Sequence, residues 1–241
     1  MIENSFNIFF FRKLKNTNDK AREISKSFKN ISNLAIYCDE QLEGRGRKGR
    51  SWLSYKGDLT CSFLIKKSIK VGEVGRINLF VVSQLIEVFK KIGINEVKFK
   101  WPNDLYVNNK KLAGILIETF IEGNIIKKFI IGIGINILNK SSEKEFNSTS
   151  FSQLKININP LKVFFKIIKF LTFFTDDSSK IDFRFHSNNL SKFFFSKDSI
   201  IKIHYGNKLI EGKFKKINRH GHLELMNNDV TQEISYGEII L

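Results

Sequence analysis

Cysteine is nearly absent: Cys38 and Cys61 are the only two in 241 residues. Two thiols cannot build a disulfide scaffold or a cysteine-ligated metal site, and no metal centre is expected. Long apolar runs are missing as well. The longest uncharged stretch, Phe129 to Leu138, falls short of the ~18 residues a membrane-spanning helix needs. Nor is there a secretory signal. Glu3 precedes the apolar patch Ile8–Phe11, Arg12 and Lys13 follow it, and no small-residue cleavage site comes after. These absences lead to the expectation of a soluble, cytoplasmic chain with no membrane partner.

Alanine occurs only at Ala21, Ala35 and Ala113, and arginine supplies just eight of the 40 cationic residues, leaving 32 lysines. Against 24 acidic residues this gives a net charge of +16. A chain rich in Lys, Ile, Asn and Phe but poor in Ala carries the stamp of an AT-rich genome. Its scattered lysines therefore read as solvated faces rather than as a nucleic-acid footprint. The same bias makes the disfavoured residues informative. Three of the eight arginines fall within Arg45–Arg50, and Trp52, Trp101 and Pro102 sit beside short Gly- or Asn-containing motifs.

With 42% hydrophobic residues the chain can bury a core. Helices are expected over Asn18–Phe28, capped by Thr17 or Asn18, over Val74–Ile92 ending at Gly93, from Pro160 to about Phe174, and over Ile181–Leu190. Strands are expected at Leu34–Cys38, Leu59–Ile65, Val97–Trp101, Leu105–Val107, Leu112–Phe120 and Ile125–Ile137. Beyond Asp198 short strands alternate with turns, the pattern of a small β-barrel. The fold class is thus α+β: a mixed β-sheet with flanking helices over 1–196, then a small barrel over 197–241.

Three segments carry chemistry. Gln41 and the loop Gly44-Arg-Gly-Arg-Lys-Gly-Arg-Ser-Trp52 satisfy a G-x-G-x-x-G spelling, but a strand rather than a helix follows, so phosphate binding at a helix N-terminus does not apply. Arg45, Arg47 and Arg50 instead offer forked donors for carboxylate or phosphate, with Trp52 as a stacking face for a base. A flexible basic surface loop is the plainer reading. In Lys100-Trp-Pro-Asn103-Asp104 the Asn-Asp pair suits a turn, and Lys111 opens the next strand. In Ile131-Gly-Ile-Gly134-Ile-Asn136 one strand face is all isoleucine and the other is Gly, Gly, Asn, a floor for a ligand or for a packed helix.

Together, Thr17-Asn18, Gln41 with Gly44–Trp52, Lys100–Leu105 with Lys111–Ile115, and Gly132–Asn136 resemble the biotin–protein ligases, and the C-terminal segment resembles that family's SH3-like domain. The resemblance covers nearly the whole chain. It implies an ATP-dependent enzyme that forms biotinyl-5′-AMP, with magnesium assisting, and passes biotin to a lysine of a carrier, the usual one being the biotin carboxyl carrier protein of acetyl-CoA carboxylase. Carried over by position, Asn16, Thr17, Asn18, Gln41, Arg45, Gly46, Arg47, Lys111 and Gly114 would hold biotin. Arg50, Trp52, Asn103, Asp104, Gly134 and Asn136 would hold the adenylate, and Arg47 and Lys111 would act in catalysis. Position 16 is Asn where the family usually has Ser. Thr17 lies close to Met1, so the resemblance is to the form that lacks a DNA-binding domain. Monomer and homodimer both stay open. A lipoate–protein ligase and a basic RNA-binding protein are the competing readings.

Overall fold

The computed structural model describes residues 6–28, 31, 33–138, 147–176, 181–194 and 200–240. In chain order its elements are β1 (Phe6–Leu14), α1 (Thr17–Ser27), β2 (Asn33–Gln41), β3 (Gly44–Arg45), β4 (Ser51–Trp52), β5 (Leu59–Ile65) and β6 (Ile69–Lys70). There follow α2 (Val74–Ile92), β7 (Lys98–Lys100), β8 (Asp104–Val107), β9 (Lys110–Glu122), β10 (Ile125–Ile135) and α3 (Pro160–Asp176). The last are α4 (Phe183–Lys192), β11 (Ile200–Tyr205), β12 (Lys208–Ile217), β13 (Leu223–Asn227), β14 (Val230–Ile234) and β15 (Glu238–Ile240). The chain divides into two compact units, Met1–Val71 with Asn109–Ile181, and Gly72–Asn108 with Asp182–Leu241. The boundary expected between 196 and 197 lies outside the described residues.

In the first unit the strands run in the order β1-β2-β5-β10-β9, with β6 pairing β10. β1 and β2 are parallel and joined by α1, since a parallel pair needs a crossover, while the other pairs are antiparallel. The sheet is therefore mixed, as expected. β1 was not among the expected strands: its sequence FNIFFFRKL is too continuously apolar to show clean alternation, and it lies at the end of the sheet order.

Strand alternation sends side chains to two layers. Leu34, Ile36, Leu64 and Ile130 bury against Ala21 and Ile24 of α1. On the opposite parity Tyr37 and Phe63 pack on Phe164 of α3, at ring centroid distances of 5.5 and 5.6 Å. Residues sharing the parity of Leu64 and Ile130, namely Ser62, Gly132 and Gly134, consequently face the layer of α1. This parity places the site.

In the second unit, α2 and α4 pack together and α4 also packs on β12. Ser83 Oγ lies 2.8 Å from His186 Nδ1 between the helices. Burial holds the His186 imidazole below its ordinary pKa. The five C-terminal strands form an antiparallel sheet in the order β14-β13-β12-β11-β15. The expectation of a barrel is corrected here: the sheet is open, because the path ends at three-residue β15 on one edge and at β14 on the other, with no pairing between them among the described residues. Trp101 is 2% exposed, and its Nε1–H donates to Gly221 O at 2.9 Å, so this tryptophan is a core residue rather than part of a ligand site.

Candidate active site

The N-terminus of α1 is built by Asn16. Its Oδ1 accepts from Asn18 N (2.9 Å) and Asp19 N (3.2 Å), satisfying first-turn amides, while its Nδ2 donates to Glu43 O at 2.9 Å. The helix starts one residue earlier than the sequence suggests, with Asn16 rather than Thr17 or Asn18 as cap. The Asn16 amide uses both of its ends. It caps the helix and, through the second bond, ties the cap to the residue just before the arginine loop.

Thr17, Asn18, Gln41 and Ser62 form a buried polar nest. Gln41 Oε1 accepts from Thr17 N at 2.9 Å and from Thr17 Oγ1 at 3.1 Å. Ser62 Oγ lies 2.7 Å from Thr17 Oγ1 and 2.6 Å from Asn18 Oδ1. Asn18 Nδ2 donates to Glu118 Oε2 at 2.9 Å, which fixes the amide's orientation, since only its nitrogen can face a carboxylate. Gln41 is likewise fixed by its acceptor bonds, and its Nε2 lies close to Gly44: any side chain at 44 would collide with it. Ser62 and Glu118 were not singled out in the sequence. Their signal was the strand parity they share with Gly132 and Gly134.

The loop itself is a narrow hairpin. β3 pairs antiparallel with β4, Gly44 against Trp52 and Arg45 against Ser51. Gly46 N donates to Arg50 O at 2.7 Å and Arg50 N to Arg47 O at 3.2 Å, around a short 3-10 turn at Arg47–Gly49. Lys48 and Gly49 both have positive φ, 55° and 73°, so the loop's tight reversal uses glycine where a side chain would be strained. Arg45 forms a two-pronged ion pair with Asp19, both bonds 2.6 Å, and lies 3.8 Å from Glu118 Oε1. The Arg45 guanidinium holds the Asp19 carboxyl below the usual carboxylate range. Arg22 also reaches Glu118, at 3.2 Å. Arg47 is half-buried and Arg50 exposed.

The glycine floor is covered. Asn18 rests on Gly132, and the Trp52 indole rests on Gly134; a Cβ at either position would overlap it. Lys111 Nζ stands 5.2 Å from the centroid of the Trp52 ring, a cation–π arrangement. Gly114 pairs directly with Gly134 across β9 and β10 and is buried. Asn136 does not point at open space. Its Nδ2 donates to Lys111 O (3.3 Å) and Thr149 O (3.1 Å), and Thr149 N donates back to Lys111 O at 2.9 Å, so Asn136 secures the backbone from which Lys111 extends. Asp58, also unforeseen, is 2% exposed. Its Oδ1 accepts from Ile137 N (2.9 Å) and Leu138 N (3.0 Å), and its Oδ2 from Tyr55 N (3.0 Å), anchoring the segment after Trp52 to the end of β10.

Thus Asn16, Thr17, Asn18, Gln41, Arg45, Gly46, Arg47, Arg50, Trp52, Lys111, Gly114, Gly134 and Asn136 all belong to the first unit, gathered on and around the layer of α1. Asn103 and Asp104 belong to the second, in and just after the turn that follows the cis peptide Trp101–Pro102. Both cysteines are buried, and burial raises both thiol pKa values, which keeps them protonated and unreactive. Among the described residues no group of three or more His, Cys, Asp or Glu side chains could hold a metal, and no helix is long and apolar enough to cross a membrane. Of the carboxylates beside the loop, Asp19 and Glu118 are engaged by Arg45, Arg22 and Asn18, and Glu43 by Lys15, so these residues do not fit a protein-built magnesium site.

The bifunctional ligase/repressor BirA of Salmonella typhimurium is 30% identical over 217 residues, covering 86% of this chain and 66% of that protein. The biotin--[acetyl-CoA-carboxylase] ligase of Paracoccus denitrificans is 30% identical over 107 residues, 42% of this chain and 43% of the relative. The chain thus spans under half to about two thirds of the length of these relatives. The biotin protein ligase of Aquifex aeolicus, solved with biotin and ATP, superposes with a TM-score of 0.82 at 24% identity, covering 97% of each chain, which establishes the fold. The sequence model of the biotin/lipoate A/B protein ligase family matches residues 10–136, a segment holding every candidate site residue described above, and the chain belongs to that family.

Proposed function

We propose that the chain is an ATP-dependent biotin–protein ligase acting in the cytoplasm, with residues 1–196 as the catalytic part and 197–241 as an accessory domain. A carboxylate oxygen of biotin attacks the α-phosphorus of ATP and pyrophosphate leaves. A lysine amine of a biotin carboxyl carrier protein, that of acetyl-CoA carboxylase, then attacks the acyl carbon and AMP leaves. Neither step needs a protein nucleophile. Arg45 and Arg47 hold the carboxylate and the α-phosphate, Lys111 offsets charge at the reacting centre, and Trp52 covers the adenine over Gly134. Asn136 supports the nucleotide side by holding the backbone from which Lys111 extends. Catalysis is then positioning and charge stabilisation behind a loop that excludes water.

One observation carries this reading: the arginine hairpin, the Trp52–Gly134 contact and Lys111 converge beside a buried nest of neutral hydrogen-bonding groups. That nest, Thr17, Asn18, Gln41 and Ser62, suits the donors and acceptors of biotin's ureido ring. The apolar dithiolane of lipoate offers these groups no hydrogen-bonding counterpart. The test is calorimetric titration with biotin and with lipoate, each with and without ATP, followed by mass spectrometry of an added carrier domain. Binding of lipoate alone, or a carrier whose mass is unchanged, would refute the assignment.

A further inference from the structure

The Arg45 guanidinium is held by two charge-assisted bonds to a carboxylate of the chain itself: Nη1 to Asp19 Oδ2 and Nη2 to Asp19 Oδ1, each 2.6 Å. Asp19 thereby fills the end-on edge of the guanidinium, the facing Nη1–H and Nη2–H, and a second carboxylate reaches that edge only by displacing it. Asp19 is held in the first turn of α1, its own amide bonded to Asn16 Oδ1 at 3.2 Å. Glu118 is no substitute. Its Oε2 is taken by Asn18 and Arg22, and its nearer approach to Arg45 is 3.8 Å.

We propose that Asp19 is a built-in competitor for biotin's carboxylate. In the ligand-free chain it occupies the fork of Arg45, and biotin enters by exchanging one carboxylate for another. This rests on the function proposed above, in which Arg45 receives biotin's carboxylate. The exchange has two consequences. Arg45 is kept ordered beside the nest rather than solvated, and biotin gains only the difference between two similar ion pairs. The Asp19–Arg45 pair has side chains 50% and 41% exposed, so it is weak enough to be displaced. Its loss should be worth about two- to fivefold in affinity, the range for pairs of this exposure.

The experiment measures biotin binding to the full chain by calorimetry, for wild type, Asp19→Asn, Arg45→Ala and the double variant. Competition predicts that D19N tightens biotin about two- to fivefold, and that the same change has no effect in the R45A background, since Asp19 acts only through Arg45. Salt supplies a signature that a purely structural role would not move. The wild type exchanges one ion pair for another and should lose little affinity as salt rises, whereas D19N forms a new pair and should lose more. Unchanged or weaker binding by D19N overturns the proposal, as does tightening that persists without Arg45. If D19N melts without cooperativity, Asp19→Ser replaces it, and the wild-type salt dependence needs no variant: steep loss of affinity there also overturns the proposal. A wild type that binds no biotin at all refutes the function itself. A wild type that binds biotin beside a D19N that gains nothing refutes only the competition.

Discussion

The indole of Trp52 occupies the space that a side chain at residue 134 would fill. Gly134 is in a regular strand, paired with Thr60 and Gly114, so no backbone strain asks for glycine there; the close approach of the ring does.

Gly134→Ala is therefore expected to displace Trp52 while sparing the sheet. ATP affinity in the presence of biotin should fall about tenfold, an amount equivalent to ~1.4 kcal/mol. The melting temperature should hold or rise, because alanine costs a strand less entropy than glycine. Calorimetry with ATP and a thermal melt check this pair of outcomes. Undiminished ATP affinity would mean that Trp52 does not cover the nucleotide.

Asp58 makes a contrasting case, since its three backbone bonds serve structure. Asp58→Ala leaves the amides of Tyr55, Ile137 and Leu138 without their acceptor. At about 1–3 kcal/mol for a buried donor left unpaired, and with partial rescue by water, a loss of roughly 3 kcal/mol is expected in urea unfolding. Asp58→Asn keeps one acceptor oxygen and should lose less. Equal stability of both variants and wild type would contradict the anchoring role.

How much of this could be read beforehand differs from residue to residue. α2 was legible to the residue, because Ile77, Val81, Leu85 and Phe89 repeat at helical spacing and Gly93 closes the helix at φ 104°. The Gly-Ile-Gly-Ile-Asn strand gave its two faces through simple alternation, and the helix reading of its bare side describes part of it: Asn18 of α1 rests on Gly132, while Trp52 of the loop rests on Gly134. What stayed hidden were pairings across long sequence gaps. Asn18 with Glu118 spans 100 residues, and nothing local in either segment announces the other. Asp58 with Ile137 and Leu138, and Trp101 with Gly221, are likewise pairings across long stretches of sequence. β1 failed for another reason: with aromatics on both faces, its pattern matches neither period.

His186 makes acid stability predictable in sign. Burial favours the neutral imidazole in the folded chain, so its folded pKa is below the unfolded value of about 6.5. Below that value the unfolded chain binds the proton more readily, and stability falls as pH drops. The loss should begin near pH 6.5 and steepen to at most about 1.4 kcal/mol per pH unit for this group. His186→Gln, which can still bond Ser83, should flatten the dependence between pH 7 and 5 in urea titrations. An unchanged slope would place the acid sensitivity elsewhere.

Arg47 separates charge from guanidinium shape. It sits at the start of the 3-10 turn, half-buried, and its carbonyl, not its side chain, carries the bond from Arg50 N that closes the turn. Arg47→Ala should therefore leave the loop's backbone and the melting temperature unchanged, while release of biotinyl-AMP accelerates at least tenfold in a rapid-quench release assay. Lysine restores the charge but not the two-pronged geometry, so Arg47→Lys should recover only part of the retention. Full recovery by lysine would show that a point charge suffices at position 47, and undiminished retention in R47A would move the role to Arg45 or Arg50. The distinction matters because a mixed anhydride that escapes is hydrolysed: a faster release rate should appear as pyrophosphate produced without a matching gain in labelled carrier.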